Sequence, residues 1–214
     1  MNNNILKYKG WQYFLILTGM GIIIEIAINY LFLSEGLYYQ SFGERIAADR
    51  IAKMIELSQK WQWLGYVFVP IAILIRVSFT SVCLYIGYFL ANVKSRFKDL
   101  FKASLLADFV FVLTGLTKLF VLIFIKEVST LDDLQFQPLS LLELLNKKSI
   151  DVVFIYPLSL INVFEFSYWI ILAWLLSRII EKPYANSLKT VVSCYGSGLF
   201  LWVVFVMFLT INMT

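Results

Sequence analysis

The chain has 214 residues, 60% of them apolar and 17% aromatic, with only 15% charged and a net charge of +4. A soluble domain usually carries about a quarter charged residues, so lipid is the expected solvent for most of this surface. The basic residues are scattered in short segments, which excludes the continuous basic face that nucleic-acid binding requires; the chain also has no histidine, the commonest metal ligand and general base.

A helix needs roughly 20 mostly apolar residues to cross a hydrocarbon core of about 30 Å. Five stretches meet that need: residues 11–33, 63–90, 103–125, 153–176 and 191–211. The first follows Lys7 and Lys9 in the manner of a signal peptide, but it is too long for a typical apolar signal core and no small-x-small cleavage site follows it. A retained signal anchor is expected. Between the first and second spans, residues 44–60 read ERIAADRIAKMIELSQK, with Ala47, Ile51, Met54 and Ile55 on one helical face. That spacing predicts an amphipathic helix, lying on the membrane surface or capping the bundle. A shorter example is SLLELLNKK, residues 140–148. Either is equally suited to docking a partner.

Trp61 and Trp63 stand where indole rings favour the membrane–water boundary, and Pro70 and Pro157 are placed in the first turns of the second and fourth spans. The distribution of Lys and Arg sets the expected orientation. With the N-terminus inside, Lys7, Lys9, Lys94, Arg96, Lys98, Lys102, Arg178, Lys182 and Lys189 are cytoplasmic. Arg45, Arg50, Lys53, Lys60, Lys126, Lys147 and Lys148 fall on the other side, in longer loops. The bias puts the N-terminus in the cytoplasm and the C-terminus outside. The expected fold is all-α: one integral membrane domain over residues 1–214, a bundle of about five spans with one or two amphipathic surface helices.

Five ionisable residues interrupt the spans: Glu25, Arg76, Asp108, Lys118 and Glu165. Charges in hydrocarbon cost several kcal/mol and normally face the bundle interior or a wet cavity, paired with one another. At 1.5 Å per residue, Glu25 and Lys118 each lie about 12 Å from the outer ends of their helices, and Arg76 and Glu165 roughly 15–20 Å. Asp108 falls near the cytoplasmic edge. Matching depth and sign predicts two pairs, Glu25 with Lys118 and Arg76 with Glu165. Such pairs either fix helix register or form an ion path or a pocket for a charged ligand.

Gly19, Gly21, Gly87, Gly115, Gly196 and Gly198 lie inside spans, where small residues let helices approach closely. Cys83 and Cys194 fall in apolar runs and read as buried thiols. The YGSG run, Tyr195 to Gly198, superficially resembles the glycine-flanked serine of intramembrane proteases, but without histidine its general base is missing. Neither a zinc-protease motif nor a phosphate-binding glycine loop is present. No catalytic residue, cofactor or metal site is expected.

The segment NVFEFSYWIILAWLLSRIIEKPYANSLKTVVSCYG, Asn162 to Gly196, and the run KSRFKDLFKASLLADF, Lys94 to Phe109, resemble the Ypt-interacting protein (Yip) family of small five-span membrane proteins. The resemblance covers roughly the last 150 residues as a pattern of helices. It implies a cytoplasmic N-terminus and a C-terminus on the other side. Eukaryotic members carry a longer N-terminal region and act with Rab-type GTPases; here about ten residues precede the first span, so no GTPase partner is implied. The short form resembles bacterial members, which implies an inner-membrane location. No functional residue is transferred.

Three functions are consistent with these features. The first is a non-enzymatic scaffold or accessory subunit, whose partners are the lipid bilayer and a membrane protein or a second copy. The second is a transporter or ion-conducting subunit that uses the five embedded charges. The third is a membrane enzyme acting on lipid.

Overall fold

The computed structural model describes residues 9–145 and 150–213. Lys7, Lys147 and Lys148, used above for orientation, lie outside the described residues. The chain is an all-α bundle, with no β-strand among the described residues. Helix α1, Gly10–Phe32, is followed by the short α2, Glu35–Phe42, and by α3, Ala48–Leu90. The chain returns as α4, Phe97–Ala107, and α5, Phe109–Phe124, which are separated only at Asp108. A 3-10 turn at Leu131–Gln135 and a single helical turn α6, Leu141–Leu144, lead to α7, Val152–Leu160, and α8, Val163–Ile179. The last traverse is α9, Tyr184–Thr190, a π-helical turn at Val191–Tyr195, and α10, Gly196–Met213.

Four helical runs are long and apolar enough to cross a membrane: Gly10–Phe32, Ala48–Leu90, Phe97–Phe124 and Tyr184–Met213. The expected fourth span, residues 153–176, is instead divided at Ile161 and Asn162 into the 9-residue α7 and the 17-residue α8. Helix α8 is the interior element. Its Tyr168, Leu172, Ala173 and Leu176 are fully buried, and it packs against α4, α5 and α9. A cluster of Leu84, Leu100, Ala103, Ala107, Tyr168, Leu172, Leu176 and Val191 forms the main core. Helix α1 joins through a smaller cluster, Leu17, Ile73, Val77, Leu105 and Val112.

The amphipathic stretch does not form a separate surface helix. From Ala48 onward it is the first part of α3, whose 43 residues run roughly 65 Å at 1.5 Å per residue. Ile51 and Ile55 are buried as expected, against the α2 side, while Ala47 and Met54 are exposed. The face is narrower than the sequence pattern because α2 is the main element lying on it. Helix α2 is tied there by the 2.6 Å hydrogen bond between Tyr38 and Ser58. Since α3 starts well before the span, Pro70 sits inside the helix and not in its first turn. Of SLLELLNKK, only the turn Leu141–Leu144 is helical among the described residues, with Leu142 buried.

Several contacts close the loop side opposite the start of α1. Ser41 accepts from the Leu131 N–H at 2.9 Å, and Lys126 lies 3.3 Å from Asp133. Burial would raise the Asp133 carboxyl, but hydrogen bonds from the Thr130 hydroxyl and N–H, together with Lys126 and the Ser129 N–H, hold it below the ordinary aspartate range. A depressed folded-state pKa stabilises above the unfolded value, roughly pH 4, and that contribution disappears as pH falls through the folded value. Asp133→Asn should therefore lower stability by about 1 kcal/mol at pH 7, and the difference from the native chain should be smaller at about pH 3. Thermal unfolding in detergent at the two pH values checks this.

Candidate functional site

Three local departures from regular α-helix meet at one level of the bundle. The first is Asp108, between α4 and α5. Its N–H still bonds Ser104 at 3.0 Å, but its carbonyl is taken by the Phe111 N–H three residues on, also at 3.0 Å, so the helix tightens there. The second is the α7–α8 break. Asn162 caps α8 by accepting from the Glu165 N–H at 2.8 Å, and its amide donates back to the Ser159 and Leu160 carbonyls. The Leu139–Leu141 strand of chain covers the remaining groups, through Leu141 N–H to Ile161 O at 2.8 Å and Val163 N–H to Leu139 O at 3.3 Å. With its polar groups satisfied, a broken helix is tolerated inside hydrocarbon. The third departure is the π turn ending at Tyr195, a feature often found at functional sites.

These breaks aim side chains at a buried polar cluster. Arg76 of α3 donates from Nε to Asp108 Oδ1 and from Nη2 to Asp108 Oδ2, 2.7 Å each, a bidentate fork. Its guanidinium also lies 4.0 Å over the Phe111 ring. Phe111 packs on Tyr168 at 5.2 Å between ring centroids, and the Tyr168 hydroxyl donates to Thr80 at 3.1 Å. Tyr168 and Trp169 both pack edge-on against Tyr195, at 5.5 and 5.8 Å. On the far side of these rings, Glu165 Oε1 accepts from the Trp169 indole and from the Tyr195 hydroxyl, 2.8 Å each. Glu165 is in the first turn of α8, where the aligned peptide dipoles favour a carboxylate.

The expected Arg76–Glu165 pair is thus replaced by Arg76–Asp108, and Glu165 is held by two neutral donors. Asp108 is not at a wet edge. Its side chain is 0% exposed, because α3 and α8 pack over this point of the helix and Arg76 covers both carboxylate oxygens. Glu25 of α1 faces Lys118 of the neighbouring α5, as depth and sign predict, but the two do not close to an ion pair. Among the described residues, the ion pairs are Arg76–Asp108, Arg96–Asp99 and Lys126–Asp133. No group of three or more Cys, Asp and Glu side chains converges among the described residues.

Asn162, Thr80, Tyr168, Trp169 and Tyr195 were not singled out from sequence. Asn162 had a signal: an Asn followed three residues later by Glu, before an apolar run, marks a helix start. The aromatic residues had little, since the chain is rich in them throughout. Within YGSG, Tyr195 reaches the cluster, whereas the Ser197 hydroxyl bonds back to the Cys194 carbonyl on an exposed face. Tyr195→Phe should cost about 1–2 kcal/mol, the loss of a buried hydrogen bond to the Glu165 carboxyl. Ser197→Ala should change stability by under about 0.5 kcal/mol. Unfolding midpoints in mixed micelles read both.

Fold and site together define a multi-pass membrane protein with a buried, hydrogen-bonded charge cluster. Comparison of the chain with protein-family models, with curated proteins and with solved structures finds no match.

Proposed function

We propose that this protein is a non-enzymatic integral membrane scaffold or accessory subunit, in line with the Yip-like layout, whose α3 face is completed by another membrane helix. The observation that carries this reading is Arg76. It lies inside an apolar span, yet its side chain keeps 38% of its surface uncovered, and it makes no hydrogen bond beyond those to Asp108 among the described residues. The guanidinium is paired with Asp108 and stacked on Phe111. The uncovered part of this cationic side chain nevertheless lies in an apolar span, where charged side chains normally face protein, so a partner helix over it is favoured. Exposed Phe68, Ile71 and Ile75 supply an apolar surround on the same helix. Asp108 and Glu165 are engaged within the chain by Arg76, Trp169 and Tyr195, which suits a positional role for that cluster better than ligand binding.

A photo-crosslinker at Ile75, in a tagged copy purified from native membranes in mild detergent, tests this. A stoichiometric crosslink to a second chain, lost in Arg76→Leu, supports the reading. Elution as an uncrosslinked single species overturns it. The location that goes with this proposal is a bacterial inner membrane with the N-terminus cytoplasmic. The basic residues around the starts of α4 and α9 support that orientation.

A second reading, an ion-conducting or transporting subunit, is favoured by the meeting of three helix interruptions at Asp108, Glu165 and Tyr195, since interrupted helices commonly frame ion sites. Ion flux into liposomes that is abolished by Glu165→Gln and Asp108→Asn would support it over the first.

A further inference from the structure

Away from the charge cluster, the end of α3 and the start of the last traverse enclose a cleft of about 400 Å³. Its floor is apolar where Gly87 meets Cys194, and its mouth carries Lys182 and Lys189. Two hydroxyls in its wall, Tyr88 at 3% exposure and Ser187 at 1%, have no hydrogen-bond partner. They approach each other and Thr190 without closing a well-formed bond, and the Thr190 proton goes to the Asn186 carbonyl at 3.0 Å. A buried hydroxyl left without a well-formed bond costs up to about 1–3 kcal/mol, and a bound acceptor in the cleft would reduce that cost.

The electrostatics select the acceptor. Neither lysine is in an ion pair among the described residues. The neighbouring segments 91–102 and 178–190 carry seven basic residues against Asp99 and Glu181. Asp99 is engaged by Arg96 at 2.8 Å, and both acids line the adjacent cleft, not this one. Two hydroxyl donors and two ammonium groups around one space fit a tetrahedral oxyanion. The apolar floor at the end of a membrane-spanning helix fits the acyl end of a lipid.

We propose that this cleft binds a phosphate group carried by an anionic membrane lipid, with Tyr88 and Ser187 donating to its oxygens and Lys182 and Lys189 neutralising it. Basic pockets between membrane helices are suited to such headgroups. The same donors would accept free phosphate, so the test separates the two sources.

The purified full chain, delipidated in a neutral detergent, is titrated with phosphatidylglycerol, with phosphatidylcholine and with inorganic phosphate. Bound lipid is counted by native mass spectrometry and stability is followed by thermal unfolding. Phosphatidylglycerol should bind at one site and raise the unfolding temperature, and phosphatidylcholine should not. Lys182→Gln with Lys189→Gln should weaken binding about tenfold or more, from the loss of two near-surface charges. Tyr88→Phe with Ser187→Ala should weaken it about fivefold or more while the lipid-free protein stays folded, because no well-formed hydrogen bond is removed. Stabilisation by inorganic phosphate through the same four residues, without lipid retention, supports the phosphate site but overturns its lipid source. Equal binding of both lipids, or binding unchanged in both double variants, overturns the site itself.

Discussion

Asp108→Ala should destabilise the bundle by about 3–5 kcal/mol, among the largest effects of any single substitution in the chain. Asp108 is fully buried and spends both carboxylate oxygens on Arg76 at 2.7 Å. Its removal strands the guanidinium inside an apolar span, and Phe111 alone cannot replace a carboxylate. Because 38% of the Arg76 side chain is uncovered, rearrangement toward the membrane surface should keep the loss near the lower end of that range. Replacing both partners, Arg76→Met with Asp108→Leu, should recover most of it, since a buried pair rarely outperforms apolar residues of similar size. A double-mutant cycle on unfolding in mixed micelles reads the coupling. The Arg76–Asp108 cycle should show at least about 2 kcal/mol of non-additivity, and the Arg76–Glu165 cycle under about 1 kcal/mol. The reverse order would overturn the pairing.

Gly87→Leu should be the most damaging substitution at a glycine within the membrane-spanning helices. A Cβ at Gly87 would collide with the Cys194 sulfur and lie 2.9 Å from its Cβ, with Thr190 Cγ2 at 3.5 Å. The reciprocal pair is one turn away, where a Cβ on Gly198 would press into Cys83. Residues 83 and 87 share a face of α3, and 194 and 198 share a face of the last traverse, so a Gly–Cys couple sits at each end of one close crossing. Overpacking costs typically 1–3 kcal/mol, and a branched side chain against near-backbone atoms should reach about 3 kcal/mol. Gly87→Ala should cost less, and Cys194→Gly in the same chain should restore part of the loss. Gly19, which was expected to pack with the others, has nothing within 4 Å of a built Cβ. Gly19→Ala should therefore be neutral, or stabilising by up to about 1 kcal/mol from helix propensity. Unfolding midpoints of the four variants check the series, and equal losses at Gly19 and Gly87 would sink the packing argument.

Much of this molecule was legible as a linear pattern. Long apolar runs without enough polar surface for water can satisfy their backbones only as helices. Residues 11–33 accordingly match α1 within one position at each end, and 191–211 fall inside the longer helical run Tyr184–Met213. The embedded charges were visible for the same reason, as costly exceptions in an apolar text. Their partners were not. Sequence supplies depth along a helix, at a fixed rise per residue, and depth matched Arg76 to Glu165. It supplies no rotation of one helix about its neighbour, and that rotation is what brings Asp108, not Glu165, within 2.7 Å of Arg76.

The same limit explains the breaks. The apolar pattern continues on both sides of Ile161 and Asn162. Although Asn162 marks a helix start and caps it, the break is completed only by residues 139–141, whose backbone bonds Ile161 and Val163. Hydrophobicity alone determined that this chain is a membrane helical bundle with charges inside it, because solvation is a property of each segment. Which charge meets which, and where each helix breaks, was decided by the tertiary structure, because a buried polar group is satisfied only by what the fold places beside it.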